Sequence, residues 1–535
     1  MTGLDPDPAH PSAEELLGRL TAYRSHDAPT HGGRVLSYVY DSGRPDLDRL
    51  AGEAAQQMLW VNGLDPTTFP SVALLEGDLV RFGREMLHGP EVTGSVTSGG
   101  TESCLLAVLA ARQRWARNAQ DATAARPRLV LPASAHAAFH KAAHVFGLEV
   151  VVVPVDPATG RPCAARMVAA LDQPDVALVV VSAPSYPHGV VDPVAEVAGA
   201  AAERGIPCHV DACIGGLVLP WWEAAGGGPV PPWDFAVPGV SSISADLHKY
   251  GFAPKGASLL LFADGELDRA RYFALTGWPG YPVVNPTLLG TRSATSLAAA
   301  WAVVGALGAD GYVELTGRTV RATAAVRAAV EDVEGLRVLA DPVGPLLAVG
   351  ADDALPPERR VDPHAWAAAV ARRGFVLQGQ PGMTQADGTV LPRSTHLTMT
   401  PVTEDVLPDL VVALREAADE VRGRSSGGGQ GAEAGGAGQD TTARTTAPAG
   451  PHGIPDPQAL AEAARAGGEL DLTMVLALIE ALPREQSAEL LRQFLAAFTA
   501  PRQAHGPAQN GGGVSSGHVH PLPRPSRSSL PPSRP

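Results

Sequence analysis

Short apolar runs alternate with alanine-rich stretches from Arg128 onward, and this alternation constrains the fold more than any other feature of the chain. The runs are continuous and rich in β-branched residues, which is typical of strands in a sheet covered on both faces. The pattern predicts an α/β fold, a three-layer sandwich with a mainly parallel sheet. Ligands then bind at the carboxyl ends of the strands. The runs occupy 129–131, 149–155, 176–182, 208–211 and 258–262.

The composition of the 535 residues predicts a folded body flanked by less regular segments at both ends. Ser12 and Glu15 form a capping-box pattern, which predicts a helix near the start of the chain. A segment rich in Gly, Ala and Thr predicts a disordered linker, and Pro483 marks a break between two helices near the end. In order, we expect an N-terminal arm (1–60), a large domain (61–305), a smaller C-terminal α/β domain (306–422), the linker (423–455), a helix pair (456–501) and a disordered tail (502–535).

Charge and cysteine usage limit the partners and the compartment. The formal net charge of -15 argues against a nucleic-acid partner. We find no signal peptide and no apolar run of the roughly 20 residues that span a bilayer. We therefore expect a cytoplasmic protein without a membrane anchor. The four cysteines show neither metal nor disulfide spacing, which predicts buried thiols in a reducing compartment: Cys104, Cys163, Cys208 and Cys213.

The stretch SSISADLHKYGFAPKGASLLLF, residues 241–262, places Lys249 on a short turn between two apolar strands. Its neighbours are an aromatic residue, a histidine and small residues, which indicates a partly dry site. Desolvation lowers the pKa of a lysine and frees its amine as a nucleophile. Such an amine can form a Schiff base with pyridoxal phosphate. The alternative is a strand-end lysine that faces water.

Other strand ends carry polar residues that suit a ligand site. A glycine turn at Gly99 and Gly100 precedes a helix, where free N–H groups can hold an anion; a simple helix cap is the alternative. Asp211 ends an apolar strand and needs a partner such as a pyridinium N–H, unless it is a hydrogen-bonded structural carboxylate. His140 and His144 have metal-ligand spacing, but no third ligand is apparent, so no metal site is expected.

Five stretches, taken together, resemble the pyridoxal-phosphate fold type I enzymes. More narrowly, they are similar to the sphingosine-1-phosphate lyase family of the group II decarboxylase superfamily. The resemblance covers roughly residues 33–422 and resumes in the helices of 471–498. The stretches are TSGGTES from Thr97, ASAHAAFHKAAHVFG around His136, SAPSYPHG from Ser182, HVDACIGG around Asp211 and SADLHKYGFAPKGASLLLF around Lys249.

The resemblance implies a role for individual residues and a homodimer with its sites at the interface. Lys249 would bind the cofactor covalently, Asp211 would pair with its pyridine nitrogen, and His136 would stack on its ring. Tyr186 or the cofactor phosphate would remove the proton of the substrate hydroxyl. The cofactor phosphate would be held by Gly100, Thr101 and His248, and by Gly290 and Thr291 of the second subunit; the substrate candidates are Tyr40, Asn62 and Lys255.

The activity implied is a retro-aldol cleavage of a phosphorylated long-chain amino alcohol to an aldehyde and ethanolamine phosphate. One alternative is an amino-acid decarboxylase on the same cofactor, with Arg292 or Arg393 binding the substrate carboxylate. Another is a non-catalytic regulatory module with this fold. The chain departs from the family pattern at Asp65, at Asn285 and at Ser293, on the substrate side or at the dimer seam.

Overall fold

The computed structural model describes residues 10–118, 126–424, 457, 459, 461–462 and 472–500. The chain forms two compact units. The larger unit comprises Thr30–Gly431 and Leu472–Glu480, and the smaller one comprises Met1–Pro29, Ala432–Asp471 and Ala481–Pro535.

The helices and strands are numbered in chain order over the described residues. The helices are α1 (Ala13–Arg24), α2 (Pro45–Gln57), α3 (Pro70–Met86), α4 (Gly100–Asn118), α5 (Ala137–Phe146), α6 (Ala164–Ala170), α7 (Val194–Glu203), α8 (Leu219–Trp222), α9 (Gly265–Ala270), α10 (Thr295–Glu331), α11 (Pro363–Ala371), α12 (Leu407–Val421), α13 (Leu472–Ala481) and α14 (Arg484–Thr499). The strands are β1 (Thr93–Thr97), β2 (Arg128–Pro132), β3 (Glu149–Val153), β4 (Val176–Ser182), β5 (Cys208–Asp211), β6 (Val240–Ala245), β7 (Ser258–Phe262), β8 (Phe273–Leu275), β9 (Val283–Asn285), β10 (Leu336–Val338), β11 (Leu346–Ala351), β12 (Gln378–Gln380), β13 (Met383–Thr384), β14 (Val390–Leu391) and β15 (Ser394–Thr398).

The central sheet of the larger unit has seven strands in the order β1-β7-β6-β5-β4-β2-β3. The pairs β2–β3, β2–β4, β4–β5 and β5–β6 are parallel, and β7 runs antiparallel to both of its neighbours. Every residue of β4 is buried. Its alternate side chains enter two separate cores, Val179 and Val181 on one face and Leu178 and Val180 on the other. Helices therefore cover both faces, which confirms the predicted three-layer α/β sandwich.

A second sheet, in the order β10-β11-β15-β12, carries the smaller C-terminal part of the larger unit. All its pairings are antiparallel. Its core includes the fully buried Trp366 of α11 and Leu414 of α12. The short strands β8 and β9 pair as a hairpin.

Helix α10 links the two sheets and bends at Gly308, where the backbone leaves helical geometry with φ at 54°. Length and composition alone would allow α10 to cross a membrane, but half of its most apolar stretch is buried inside the protein. A long apolar helix in a protein core also meets these criteria of length and composition.

The smaller unit confirms two predicted helix signals. The hydroxyl of Ser12 caps α1 by accepting a hydrogen bond of 3.1 Å from the N–H of Glu15. The carboxylate of Glu15 completes the capping box by accepting one of 2.6 Å from the N–H of Ser12. Pro483 precedes the first residue of α14. The predicted linker and tail lie outside the described residues, apart from Gly423 and Arg424. The domain boundaries drawn from the sequence stay predictions.

Candidate active site

Parallel pairing brings polar residues from neighbouring strands to one edge of the central sheet. Ser182 at the end of β4 lies in register with Asp211 at the end of β5, and Asp211 with Ser244 near the end of β6. Asp246 follows β6 directly, and Lys249 is three residues further on. The carboxyl ends of these strands are thus where a ligand site is expected in such a sheet.

Lys249 forms an ion pair with Asp246, with Nζ 3.0 Å from Oδ2. The lysine side chain is 23% exposed and the aspartate side chain 1% exposed. Burial alone would lower the pKa of Lys249, but the charge of Asp246 prevails, and the lysine pKa lies well above its usual value. The expectation that desolvation lowers this pKa is therefore wrong for the cofactor-free chain, because it took no account of a carboxylate partner for the amine.

Asp246 is a site residue that was not predicted from the sequence. Burial opposes its charged form, yet the charges of Lys249 and His248 hold its pKa below the usual value. Its Oδ1 atom is buried and has no hydrogen-bond partner among the described residues. A carboxylate at the end of an apolar strand, one turn before a lysine, was the available signal, because a buried charge needs a partner.

The glycine turn before α4 packs directly against this pair. A Cβ atom on Gly100 would lie 2.6 Å from Asp246 Oδ2 and 2.7 Å from Cys213 Sγ, so only glycine fits there. Glu102 holds the turn by accepting hydrogen bonds from the N–H and the hydroxyl of Ser98, both at 2.7 Å. Thr101 is exposed in the first turn of the helix. This end of α4 can bind an anion, because its first N–H groups lack partners within the helix.

His248 lies between the turn and the strand end. Its Nδ1 atom is 2.8 Å from the carbonyl oxygen of Ala257, and its Nε2 atom is 3.6 Å from Asp246 Oδ2. Burial lowers the pKa of His248 although Asp246 opposes this shift. The ring is also the nearest group to Gly99, at 3.2 Å from a Cβ built there. The structure thus brings His248 to the predicted anion site.

Asp211 and His136 occupy neighbouring parts of the same sheet edge. Asp211 is 8% exposed, and its Oδ1 atom accepts a hydrogen bond of 3.1 Å from the N–H of Cys213. His136 caps α5 by accepting a bond of 3.2 Å from the N–H of Ala138 at its Nδ1 atom. The remaining ring nitrogen, Nε2, then carries the proton of the neutral ring. The histidine is exposed, so its ring is available to a ligand.

Lys255 lies at the rim of the site, together with Tyr40. Its Nζ atom donates to the carbonyl oxygens of Tyr38 and His248, at 3.2 and 3.3 Å, and lies 4.7 Å from the centre of the Tyr40 ring. Partial burial of the ammonium lowers the pKa of Lys255 to about 8, and the nearby positive charge of Lys249 contributes to this shift. The low lysine pKa that was predicted for Lys249 therefore belongs to this second lysine.

Tyr186 is fixed by two residues of the second sheet. Its ring stacks on His396 with 4.1 Å between ring centres, and its hydroxyl donates to Gln378 Oε1. Burial raises the pKa of Tyr186, which disfavours the phenolate that a catalytic base requires. The hydroxyl of Tyr186 is therefore a hydrogen-bond donor at neutral pH.

The remaining predicted residues form a separate group around the segment after β9. Asn62 pairs with Ser293 as an isolated bridge, and its side-chain oxygen accepts from the N–H of Leu64 at 3.0 Å. Leu64 is also the closest group to Gly290, and Thr291 is exposed. Within the described part of the chain, the contacts of Asn62 and Gly290 are with this segment and not with Lys249.

Arg292 and Arg393, the two cations considered for a substrate carboxylate, are already engaged. Arg292 pairs with Glu76 at 3.3 Å and donates to the carbonyl oxygen of Val96 at 2.7 Å. Arg393 pairs with Asp362 at 3.0 Å and with Glu480. Both arginines thus have carboxylate partners within the chain.

Replacing Asp246 with asparagine should destabilise the cofactor-free protein by about 3 kcal/mol, because it leaves a largely buried ammonium without its counter-charge. The measurement is the fall in melting temperature without cofactor. Asp332→Asn is the matched control, since its ion pair with Arg415 at 3.2 Å is exposed on both sides and contributes about 1 kcal/mol at most. Equal melting temperatures for the two variants would contradict the stabilising role of the Lys249–Asp246 pair.

Comparison with known proteins identifies related sequences. Residues 37–348 match the family described as "Pyridoxal-dependent decarboxylase conserved domain". The chain is 38% identical over 349 residues to sphingosine-1-phosphate lyase 1 of Rattus norvegicus, a match that covers 64% of this chain and 59% of the rat protein. It is 37% identical over 341 residues to sphingosine-1-phosphate lyase of Dictyostelium discoideum, covering 64% and 63%. The chain thus spans about six-tenths of the length of these curated relatives.

Solved structures show the same fold. A sphingosine-1-phosphate lyase of Burkholderia pseudomallei K96243 matches with a TM-score of 0.70 and 32% identity, over 78% of this chain and 94% of that one. A glutamate decarboxylase of Lactobacillus brevis matches with a TM-score of 0.67 at 20% identity, covering 79% and 96%. The second likeness concerns the fold alone.

Proposed function

The chain belongs to the pyridoxal-dependent decarboxylase family, whose cofactor is pyridoxal 5′-phosphate, and from this premise we propose that it is a carbon–carbon lyase. Its substrate is a phosphorylated long-chain amino alcohol of the sphingosine-1-phosphate kind, which it cleaves to an aldehyde and ethanolamine phosphate. The observation that carries the proposal is the Lys249–Asp246 pair at 3.0 Å, placed at the strand end beside Asp211. The named activity of the relatives supports the choice of substrate.

The residues at the strand ends fit the cofactor. The buried and unpartnered Oδ1 atom of Asp246 and the close approach of Gly100 mark a polar site in which backbone and ligand lie close together. Lys249 would hold the aldehyde, Asp211 the pyridine nitrogen and His136 one face of the ring. Gly100, Thr101 and His248 would hold the phosphate. When bound, the cofactor ring takes up the electron pair of the bond that breaks.

The protein's own side chains would bind the substrate, orient it and transfer protons. Lys255, whose partners in the structure are two carbonyl oxygens, would bind the substrate phosphate beside Tyr40. Tyr186 would orient the β-hydroxyl by hydrogen bonding. The proton of the β-hydroxyl would pass to the cofactor phosphate, because burial disfavours Tyr186 as the base, and the Cα–Cβ bond would then break to release the aldehyde. Lys249 holds a proton at Nζ, kept there by Asp246, and would deliver it to the α-carbon.

The decarboxylase alternative needs a cation for a substrate carboxylate. Arg292 and Arg393 are both paired with acidic side chains, so recruiting either one costs an ion pair. The rim amine of Lys255 favours a phosphorylated substrate instead. This contrast supports the lyase over the decarboxylase.

We further propose a cytoplasmic homodimer, in which Gly290 and Thr291 reach the cofactor phosphate of the second subunit. Exposed apolar side chains in the segment that precedes these residues support such a contact surface. They are Phe273, Trp278, Tyr281, Val284 and Leu289. Sedimentation of the purified protein at several concentrations tests the assembly, and a monomer at micromolar concentration contradicts it.

Product analysis tests the reaction. The purified, cofactor-loaded protein is incubated with a phosphorylated sphingoid base and, separately, with a panel of amino acids. Mass spectrometry should find a long-chain aldehyde and ethanolamine phosphate in equal amounts. An amine with carbon dioxide from any amino acid would replace the lyase with a decarboxylase. If no substrate is consumed by the loaded protein, a non-catalytic module is the correct reading.

Lys255 predicts a pH dependence of substrate binding. Its ammonium is present below its pKa of about 8 and is lost as the pH rises through that value. The KM for the phosphorylated substrate should therefore rise by about tenfold between pH 7 and pH 9, over which the substrate phosphate keeps its charge. The control is Lys255→Arg, which stays charged over this range. Parallel pH profiles for wild type and variant would exclude Lys255 as the phosphate ligand.

A further inference from the structure

Two cysteines that are far apart in the sequence meet beside Asp211. One sulfur atom each from Cys104 and Cys213 and one carboxylate oxygen of Asp211 lie within 4.8 Å of one another. Cys104 is on α4, and Cys213 follows β5 by two residues. All three residues are buried, with 1%, 8% and 9% exposure for Cys104, Asp211 and Cys213. The fold therefore assembles a donor set that the cysteine spacing did not reveal.

The donor set and its dimensions suit a zinc-like cation. Zinc binds thiolate sulfur at about 2.3 Å and carboxylate oxygen at about 2.1 Å with tetrahedral angles. Ligand atoms in such a site are about 3.5 to 3.8 Å apart, as follows from these bond lengths. Ligand atoms within 4.8 Å of one another need to move by about 1 Å at most. Two sulfurs also select zinc or cadmium over magnesium and calcium, which prefer oxygen.

Two carboxylates border the cluster, and the ammonium of Lys249, 3.0 Å from Asp246 Oδ2, already compensates one of them. Asp211 and Asp246 are both buried carboxylates, and Asp246 has an unpartnered oxygen. The sulfur of Cys213 reaches the hydroxyl of Ser244 at 3.3 Å, so it already points into a polar region. A bound divalent cation compensates the two thiolates, whose protons leave to the solvent.

We propose that Cys104, Asp211 and Cys213 bind one zinc-like divalent cation in the cofactor-free protein, and that this cation and pyridoxal phosphate exclude each other. The exclusion follows because Asp211 is the carboxylate assigned to the pyridine nitrogen, and a metal bond occupies it. This mutual exclusion of cation and cofactor rests on the proposed function. The metal site itself rests only on the three side chains.

Cadmium titration of the cofactor-free protein tests the site. Cofactor is removed with hydroxylamine, and Cd²⁺ binding is followed by the ultraviolet charge-transfer absorbance of cadmium thiolates. We expect one equivalent with the absorbance of two thiolates. Cys104→Ser should halve this absorbance and weaken binding at least tenfold. Cys208→Ala is the matched control, because Cys208 is a buried cysteine on β5 outside the cluster, and it should bind Cd²⁺ as the wild type does.

Several outcomes overturn the site. The first is the absence of stoichiometric Cd²⁺ binding by the wild type. The second is Cd²⁺ binding by Cys104→Ser that equals that of the wild type. The third is an equal loss of Cd²⁺ binding in Cys104→Ser and Cys208→Ala. Recovery of cofactor binding by Cys104→Ser in metal-free buffer shows that the variant is folded. If this variant does not fold, Cys104→Ala takes its place.

The mutual exclusion of cation and cofactor is tested by cofactor titration at several Cd²⁺ concentrations. The apparent Kd of the cofactor should rise in proportion to Cd²⁺ in the wild type and not in Cys104→Ser. Cadmium binding without competition would keep the metal site but reject the role of Asp211.

Discussion

Replacing Lys249 with alanine should abolish turnover and the covalent cofactor link that borohydride traps. The reason is chemical, because Lys249 is assigned both the amine that binds the aldehyde and the proton for the α-carbon. The activity should fall by at least 10³-fold, as is usual when a covalent catalyst is removed. Borohydride treatment followed by peptide mass spectrometry locates the modified lysine, and kcat on the phosphorylated substrate gives the rate.

The control for this experiment is Lys141→Ala. Lys141 is exposed on α5, and its loss should change neither the trapped peptide nor the rate. Lys255→Ala provides a second comparison, since it should raise KM and leave the trapped link in place. A Lys249→Ala protein that still cleaves the substrate would show that the amine is wrongly assigned.

Removing the carboxylate of Asp211 should have the second-largest effect. Asp211→Ala should weaken cofactor binding at least tenfold and lose most of the activity, because the ring takes up electrons well only while its nitrogen stays protonated. The measurements are cofactor titration by its visible absorbance and kcat at saturating cofactor.

Asp211→Asn separates this role from a purely structural one. An asparagine can still accept the hydrogen bond from the N–H of Cys213 that Asp211 receives at 3.1 Å, but it carries no charge. A structural aspartate would therefore be rescued by asparagine, whereas an electron-withdrawing partner would not. Wild-type kcat in Asp211→Asn would refute the proposed role.

The layers and strand ends of this fold can be predicted from sequence for a physical reason. Strands such as β4 are buried on both faces, so their sequence is continuously apolar and β-branched. A polar residue at the end of such a strand is conspicuous, and in a parallel sheet the ends of neighbouring strands share one edge. Asp211 could therefore be placed at the site before its surroundings were known.

Pairings between side chains could not be predicted in the same way. The sequence shows that Lys249 is flanked by small and aromatic residues, but the direction of its pKa depends on a 3.0 Å contact with Asp246. Likewise, nothing in the spacing of Cys104 and Cys213 shows that their sulfurs meet, since α4 and β5 are brought together only by the sheet. The engagement of Arg292 by Glu76 is a contact of the same long-range kind.

The low pKa of Lys255 has a practical consequence for covalent probes. At pH 8 about half of this amine is uncharged, whereas a lysine with an ordinary pKa is almost entirely protonated. The chain contains only three lysines, at positions 141, 249 and 255. Of the two exposed ones, Lys141 lies on α5 and Lys255 at the rim of the site. An amine-directed electrophile tethered to a phosphate-like anion would therefore label the rim of the site selectively, which makes this lysine a handle for fluorophores and irreversible inhibitors.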